Sequence, residues 1–343
     1  MRNNFQKTVV FGAIVALIVF FGVKHASLFF FGDASTADAG SLANGAAGAA
    51  SHRPPLLVLP SLSANIGANN PVVPPATPKP TTPAPKTPSS TNTTPTPKIT
   101  PAPNVDAAAV LVADLQTGVP FLNENADERW PLASVSKLMT AVVATDLLGL
   151  DQHITITESM VAVDPTEPVL RVGDTYTVSD LLRVMLLPSN NVAAEALAEF
   201  AGRDRFLAAM NAKAAAWGMT TTYYDDPSGL SAANQSSAND LLKLAQHIYD
   251  NYQPVLAITR MPQATVQNLS TNQSVTVNSI NNFAGNADFI GGKTGYTDQA
   301  DGNLLSIFQY NGRVVFVVVL GINDGVRFNA TQQLYNWFKV NFK

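Results

Sequence analysis

Three short groups of polar residues occur along the chain in an order that suits nucleophilic catalysis. They are Ser134-Val-Ser-Lys137, Ser189-Asn-Asn191 and Lys293-Thr-Gly295. Each group alone is a weak signal, because a pattern with two fixed positions arises by chance in many proteins. Together they indicate an enzyme that forms a covalent acyl intermediate on a serine hydroxyl, with lysine as the base.

The first group suits the nucleophile and its base. Ser134 and Lys137 are three residues apart at the start of a predicted helix, so they share one face and can share a hydrogen bond. Lysine is a base only when neutral, so its pKa must fall through desolvation or a nearby positive charge, which Lys293 would supply. The N–H groups at the helix start could help to hold an oxyanion. The alternative is that Ser134 caps the helix and Lys137 is solvated.

The second group follows a proline, which ends an apolar helix and exposes the next polar residues. Ser189 could relay a proton to a leaving amine, and Asn191 could hold Lys137 or an amide of the substrate. Helix capping is the alternative, because Ser and Asn are favoured caps.

The third group lies between Gly291-Gly292 and Tyr296-Thr297, where small residues allow a ligand to approach the backbone. An edge strand here could pair with an extended peptide. Lys293 and Thr294 would bind a carboxylate, and an N–H in the segment 296–297 would complete an oxyanion hole. The alternative is a glycine-rich hairpin without function.

Composition excludes several classes of function. The net charge of -4 and the absence of a basic stripe argue against nucleic acid as a partner. The chain has no cysteine, which removes thiolate chemistry and disulfides. Of the four histidines only His153 and His247 lie in the globular part, which argues against a histidine-rich metal site. We therefore expect neither a metal nor another cofactor.

The chain divides into three regions by composition. Residues 1–39 read as a membrane anchor or a cleaved signal peptide, since Arg2 and Lys7 precede an apolar run from Thr8 to Val23. Residues 40–103 hold fifteen of the 23 prolines and no acidic residue, which predicts an extended linker between membrane and wall. Residues 104–343 carry the apolar content of one folded catalytic domain.

Periodicity in the third region predicts a hairpin, a helical middle and strands near the end, which together indicate a mixed α/β fold with an antiparallel sheet. The predicted hairpin joins Ala107–Ala113 to Val119–Leu122, and the predicted late strands are Gln273–Val277, Leu304–Gln309 and Val314–Leu320. The predicted helices are Ser134–Leu150, Val178–Leu186, Asn191–Ala201, Arg203–Trp217, Ser237–Tyr249 and Asn329–Phe342.

The wider contexts of the three groups resemble the serine D-alanyl-D-alanine carboxypeptidases, the low-molecular-mass penicillin-binding proteins. The resemblance covers about residues 105–343. It rests on six segments: Trp130-Pro-Leu-Ala-Ser-Val-Ser-Lys-Leu-Met-Thr140, Gly173 through Glu195, Met210-Asn-Ala-Lys-Ala214, Trp217-Gly-Met219, Asp226-Pro-Ser-Gly-Leu230 and Gly292-Lys-Thr-Gly-Tyr-Thr297. Leu132 and Asp301 depart from the family, which often has proline and glycine there.

The resemblance implies a β-lactamase-like and penicillin-binding-protein-like sandwich, with helices on the faces of an antiparallel sheet and a helical cluster beside it. It also implies that Ser134 attacks the D-Ala-D-Ala bond of peptidoglycan stem peptides, and that β-lactams acylate the same serine. The implied catalytic residues are Ser134, Lys137, Ser189 and Asn191, and the implied substrate-binding residues are Lys293, Thr294, Gly295, Thr297 and Arg327. Arg327 would bind the terminal carboxylate of the substrate.

Four alternatives stay open. A D,D-endopeptidase acting on cross-links differs only in substrate length. A class A β-lactamase needs a glutamate for deacylation between the second and third groups, yet no glutamate follows Glu199. A wall-binding module without catalytic activity would not need the residues of the three groups, and their presence argues against it. A Ser-His-Asp hydrolase would use His153 or His247 as its base. His153 lies in a stretch that alternates polar and apolar residues, and His247 lies on a predicted helix, so both positions suit structural roles.

Overall fold

The structure, a computed structural model, describes residues 99–165 and 169–342. The predicted anchor or signal peptide, residues 1–39, lies outside the described residues, as does the predicted linker up to residue 98. Among the helices in the described ranges, none is both long and apolar enough to cross a membrane.

A five-stranded antiparallel sheet forms the centre of the fold. In chain order its strands are β1 (Ala109–Asp114), β2 (Pro120–Glu124), β9 (Phe289–Thr297), β10 (Asp301–Tyr310) and β11 (Arg313–Ile322). Their order across the sheet is β2-β1-β11-β10-β9, so β9 lies at an edge. Three small two-stranded sheets pair β3 (Trp130–Pro131) with β6 (Gln235–Ser236), β4 (His153–Thr155) with β5 (Thr175–Thr177), and β7 (Gln263–Asn268) with β8 (Gln273–Asn278).

Both faces of the central sheet are buried, which explains its nearly continuous apolar strands. Successive side chains of a strand point to opposite faces. On β1, Leu111 packs into the larger apolar cluster with the helical middle, whereas Val110 and Val112 pack on the opposite face. There they meet Leu334 and Phe338 of the terminal helix. The result is a helix–sheet–helix sandwich, which confirms the predicted mixed α/β class with an antiparallel sheet.

Six of the eight helices of the described part correspond to the six predicted ones, and α2 and α7 were not predicted. They are α1 (Lys137–Leu147), α2 (Glu158–Val161), α3 (Val178–Leu186), α4 (Asn191–Ala201), α5 (Arg203–Ala216), α6 (Ala238–Asn251), α7 (Gln253–Thr259) and α8 (Arg327–Asn341). The predicted bounds of α3 and α4 are confirmed residue for residue. Each follows a polar cap, since the side chain of Thr177 accepts the N–H of Asp180 and that of Asn190 accepts the N–H of Ala193.

Two predicted helix starts differ from the structure, and some elements were not predicted. The helix predicted from Ser134 begins as a short 3-10 turn, Ala133–Ser136, and becomes α-helical only at Lys137. The terminal helix begins at Arg327 instead of Asn329. Strand β7 and helix α7 were not predicted, because β7 is rich in glutamine and asparagine and α7 has only 7 residues, too few to show a helical period.

Candidate active site

The nucleophile candidate stands on a buried 3-10 turn. Ser134 lies in the turn Ala133–Ser136. Leu132 and Val135, both fully buried, anchor this turn in the core. Ala133 has a φ of +48°, a left-handed conformation that is unfavourable for alanine. Strain of this kind often marks a functional turn. The Ser134 side chain does not cap α1, because its hydroxyl contacts Lys137 instead.

Lys137 is fully buried and makes three hydrogen bonds through its amine. Its Nζ lies 2.8 Å from Oγ of Ser134, 2.7 Å from Oδ1 of Asn191 and 2.6 Å from the carbonyl oxygen of Ser228. These bonds hold the amine beside the hydroxyl, within the distance needed for proton transfer. The solvated alternative for Lys137 is therefore wrong.

Burial lowers the pKa of Lys137 to about 7, because the charged ammonium loses its hydration. The carboxylates of Asp226 and Asp164 oppose this effect and raise the pKa. The sequence hypothesis offered burial and the positive charge of Lys293 as causes of a lowered pKa at Lys137. Burial is the cause that lowers this pKa, and the charge of Lys293 is not among its causes, so that part of the hypothesis is wrong. The pKa of Lys293 is also lowered by burial first, and then by the charges of Lys137 and Arg327. Repulsion between the two lysines thus acts on Lys293, while burial governs Lys137.

The second group combines capping with contacts into the cleft, and each residue has a different part. Asn190 caps α4, accepting the N–H of Ala193 at 2.7 Å. Ser189, with a φ of +68°, turns its hydroxyl towards Lys293, whose Nζ lies 2.7 Å away. Asn191 faces Lys137. A helix cap and two side-chain contacts with the buried lysines are therefore both present, on neighbouring residues.

The third group lies on β9, the edge strand expected from the sequence. Lys293 and Thr294 are buried, and Nζ of Lys293 donates to the carbonyl oxygen of Thr294 at 3.0 Å. Thr297 ends the strand, where its hydroxyl accepts the N–H of Ala300 at 3.2 Å. Strand β9 also packs against the nucleophile turn. Gly295 is the point of closest approach.

Gly295 allows the edge strand to approach the nucleophile. A Cβ at this position would lie 2.7 Å from the carbonyl oxygen of Leu132 and 3.2 Å from the backbone nitrogen of Ser134. Any larger residue must therefore push β9 away from the N–H of Ser134. This contact explains why the third motif ends in glycine.

We expect Gly295→Ala to lower the rate of serine acylation about 100-fold, as loss of an oxyanion donor does, because the donors on the two segments move apart. Acylation by a fluorescent penicillin measures the rate. Gly149→Ala is the control, since a Cβ there would meet only Gln152 at an ordinary 3.5 Å. A rate for Gly295→Ala equal to that of the control would contradict the close-approach argument.

Arg327 lies at the first residue of α8, behind the edge strand. Its guanidinium donates to the carbonyl oxygen of Gly295 at 3.0 Å and pairs with Asp324. The residue is 9% exposed, and burial lowers its pKa while Asp324 raises it. Arg327 is thus close to the third motif, although a carboxylate bound there must share the guanidinium with Asp324.

Sequence reasoning missed the turn that supplies the third contact of Lys137. Asp226 accepts the backbone N–H groups of Ser228, Gly229 and Ser231, and this turn directs the Ser228 carbonyl at the lysine. A backbone carbonyl has no signature of its own in a sequence. The only signal was Asp-Pro-Ser-Gly, a composition typical of turns.

Asn234 connects that turn to the nucleophile turn. It is fully buried, and its amide donates to the hydroxyl of Ser136 at 3.0 Å and to the carbonyl oxygen of Asp226 at 2.9 Å. A second buried amide connects the central sheet to β3. Asn303 of β10 donates to the carbonyl oxygen of Pro131 at 2.8 Å. The motifs are therefore held at fixed separations by buried amides.

The remaining residues singled out from the sequence have structural positions. His153 is exposed on β4, and the ring of His247 stacks on Trp217 with centroids 4.3 Å apart. Asp301 has a φ of +50°, which explains why glycine is common at this position of the family. Aspartate tolerates the left-handed region better than most residues, so the departure leaves the β9–β10 turn intact.

Comparison with protein families matches the domain that carries this site. A family model described as D-alanyl-D-alanine carboxypeptidase matches residues 96–324, about two thirds of the chain. The chain belongs to this family. It is therefore a serine-type peptidase of the penicillin-binding group.

Two curated relatives illustrate the range of the family. The chain is 34% identical over 249 residues to the D-alanyl-D-alanine endopeptidase of Pseudomonas aeruginosa, covering 68% of this chain and 77% of that protein. It is 32% identical over 251 residues to D-alanyl-D-alanine carboxypeptidase DacB2 of Mycobacterium tuberculosis, covering 70% of this chain and 85% of that protein. Both names thus occur among similar proteins.

Solved structures agree with the fold. The D-alanyl-D-alanine carboxypeptidase of Mycobacterium tuberculosis H37Rv is 30% identical with a TM-score of 0.64, covering 69% of this chain and 92% of that chain. The Streptomyces K15 DD-transpeptidase is 26% identical with a TM-score of 0.64, covering 69% of this chain and 98% of that chain. The penicillin-binding-protein-like sandwich implied by the sequence resemblance is therefore confirmed.

Proposed function

We propose that this D-alanyl-D-alanine carboxypeptidase cleaves the terminal D-alanine from peptidoglycan stem peptides through an acyl-enzyme on Ser134. The observation that carries the proposal is the 2.8 Å contact between Oγ of Ser134 and Nζ of Lys137, an amine with a pKa of about 7. A neutral amine at this distance can act as the general base.

Acylation follows from these contacts. Lys137 removes the proton of Ser134 as the oxygen attacks the carbonyl carbon of the penultimate D-alanine, and a tetrahedral oxyanion forms. The N–H of Ser134 and an N–H of the segment 296–297 stabilise the oxyanion. The close approach of the two segments supports this pairing, because a Cβ added at Gly295 would lie 3.2 Å from the backbone nitrogen of Ser134.

Departure of D-alanine needs a proton on its nitrogen. Ser189 is the proposed donor, because its hydroxyl lies 2.7 Å from Nζ of Lys293, which can replace the proton. Asn191 holds Lys137 and a substrate amide. Lys137, which kept the proton of Ser134, releases it to solvent, and Lys293 takes a proton back from solvent. Neutral Lys137 then takes a proton from the water that attacks the ester carbon and returns it to Oγ of Ser134 as the carboxylic acid product leaves, which restores the starting state.

The substrate carboxylate is proposed to bind next to the third motif. Lys293, Thr294 and Thr297 line this end of the edge strand, and Arg327 lies behind it, 3.0 Å from the carbonyl oxygen of Gly295. Cations and hydroxyls are the usual partners of a carboxylate. The strand edge itself would pair with the extended peptide.

A second candidate function is D,D-endopeptidase activity on cross-links. The observation that favours it is the 34% identity to the endopeptidase of Pseudomonas aeruginosa, which is as high as that to the carboxypeptidases described above. The two reactions share the acyl-enzyme and differ in the leaving group.

One experiment separates these functions. The purified protein is incubated with intact peptidoglycan and with a free pentapeptide ending in D-Ala-D-Ala, and the products are identified by mass. Free D-alanine as the main product from both supports the carboxypeptidase. Separated stem peptides that keep their terminal D-alanine would contradict the carboxypeptidase proposal and support D,D-endopeptidase activity.

We also propose that residues 1–39 keep the enzyme at the outer face of the cytoplasmic membrane, with residues 40–103 as a spacer to the wall. The apolar run after Arg2 and Lys7 supports this, because positive charges favour the cytoplasmic side. Fractionation of cells tests it. Full-length protein in the membrane fraction is expected, and a shortened protein in the medium would show cleavage.

A further inference from the structure

The side-chain amide of Asn191 bridges two groups of the site. Its Oδ1 accepts from Nζ of Lys137 at 2.7 Å, and its Nδ2 donates to Oδ2 of Asp164 at 2.9 Å. Asp164 follows α2 and precedes the second motif in sequence, and it belongs to none of the three motifs. A continuous chain of hydrogen bonds thus runs from Asp164 through Asn191 and Lys137 to Ser134.

The two ends of an amide differ chemically, and a half-turn about the last bond exchanges them. One end only donates and the other only accepts, whereas an ionised carboxylate only accepts. Asp164 therefore selects the orientation in which Nδ2 of Asn191 faces the carboxylate and Oδ1 faces Lys137. In the opposite orientation, the carboxylate would meet the amide oxygen and the lysine would lose its acceptor.

We propose that Asp164 is a positioning residue of this hydrolase, which orients the Asn191 side chain towards Lys137 and makes the lysine amine a stronger base. The inference rests on the proposed function, in which Lys137 is the base. It adds a carboxylate outside the three motifs, which acts on Lys137 through Asn191.

The effect of Asp164 on Lys137 can be separated from that of Asp226, the other carboxylate that acts on the lysine. Asp226 faces the lysine from the turn before β6, Asp164 from the segment after α2 and Lys293 from β9. The carboxylates of Asp226 and Asp164 both raise the pKa of Lys137, and burial lowers it more strongly. Asp226 also shapes the turn that carries the Ser228 carbonyl, so its removal would alter two contacts. Asp164 lies on another segment, and its bond to Asn191 does not involve that turn.

The test compares pH profiles of acylation by a fluorescent penicillin. Asp164→Asn keeps an oxygen that can accept from Asn191 but removes the charge. In its pH profile, the rise of the rate on the acid side (the acid limb) should move to lower pH by about one unit. The reason is that no carboxylate at position 164 then stabilises the charged form of Lys137. Its plateau should stay close to wild type. Asp164→Ala should show the same movement and a plateau about tenfold or more below that of Asp164→Asn, because Asn191 loses its orientation.

Asp174→Asn is the matched control. Asp174 lies on the same connection between α2 and α3, and its carboxylate accepts the backbone N–H of Arg171 at 3.0 Å. Its acid limb should coincide with wild type. An unmoved limb in Asp164→Asn, or an equal movement in Asp174→Asn, overturns the effect on basicity. Equal plateaus for the two Asp164 variants overturn the positioning role.

The design also separates this inference from the proposed function. Wild type that is not labelled by the penicillin would refute the serine acyl-enzyme itself. Labelled wild type with an unmoved limb in Asp164→Asn would refute only the role of Asp164. Thermal unfolding of each variant reports on the fold, and if Asp164→Ala fails to fold, the limb of the isosteric Asp164→Asn decides.

Discussion

Ser134→Ala is expected to abolish both the release of D-alanine from a pentapeptide ending in D-Ala-D-Ala and covalent labelling by a fluorescent penicillin. The physical reason is that the ester forms on the hydroxyl beside Lys137, and alanine lacks that hydroxyl. Lys137 keeps two of its three hydrogen bonds in this variant, to Asn191 and to the carbonyl of Ser228, so the pocket should stay folded. Both activities are measured on the purified protein, with thermal unfolding as the check on the fold.

Ser136→Ala is the matched control for this experiment. Ser136 is the other serine of the first motif, and its hydroxyl accepts from the amide of Asn234. Its loss should lower the unfolding temperature but leave labelling in place. Labelling that persists in Ser134→Ala, or that disappears only in Ser136→Ala, would contradict the assignment of the nucleophile.

Lys137→Ala is expected to slow acylation by about two to four orders of magnitude, the usual range for loss of a well-placed general base. Ser134 would then keep its hydroxyl without a group to accept the proton. Lys137→Met repeats the test with a side chain of similar volume, because alanine leaves a cavity in the buried site. The rate constant of acylation is measured under single-turnover conditions at one pH.

The comparison of the two variants distinguishes chemistry from packing. If the amine is the base, both variants should be slow and Lys137→Met should unfold at a temperature near or above that of wild type, since it removes a buried amine. Acylation within tenfold of wild type in Lys137→Met would mean that another group takes the proton.

Much of the site could be predicted because its residues occur in short groups with fixed spacing. Ser134 and Lys137 are three residues apart, and the turn and helix that bring them together are local structures. Helices α3 and α4 were predicted residue for residue, because the proline and the capping asparagine mark their boundary. The strand that carries Lys293 could be expected from its glycines.

The rest depends on contacts between segments far apart in sequence. Asp164 meets Asn191 across 27 positions, and the Ser228 carbonyl meets Lys137 across 91. Neither contact has a local pattern. The cause of the lowered pKa was also open, since the sequence shows a second lysine but does not show that the first is fully buried.

The most direct test of the account is the pH dependence of the acylation of Ser134 by a fluorescent penicillin in the wild-type protein, between pH 5 and 9. Because burial lowers the pKa of Lys137 to about 7, the amine is protonated below this value and neutral above it. The rate should therefore rise with pH, pass its midpoint near 7 and level off by pH 9. A rate that is constant over this range, or that still rises steeply at pH 9 as for an ordinary lysine, would contradict the account.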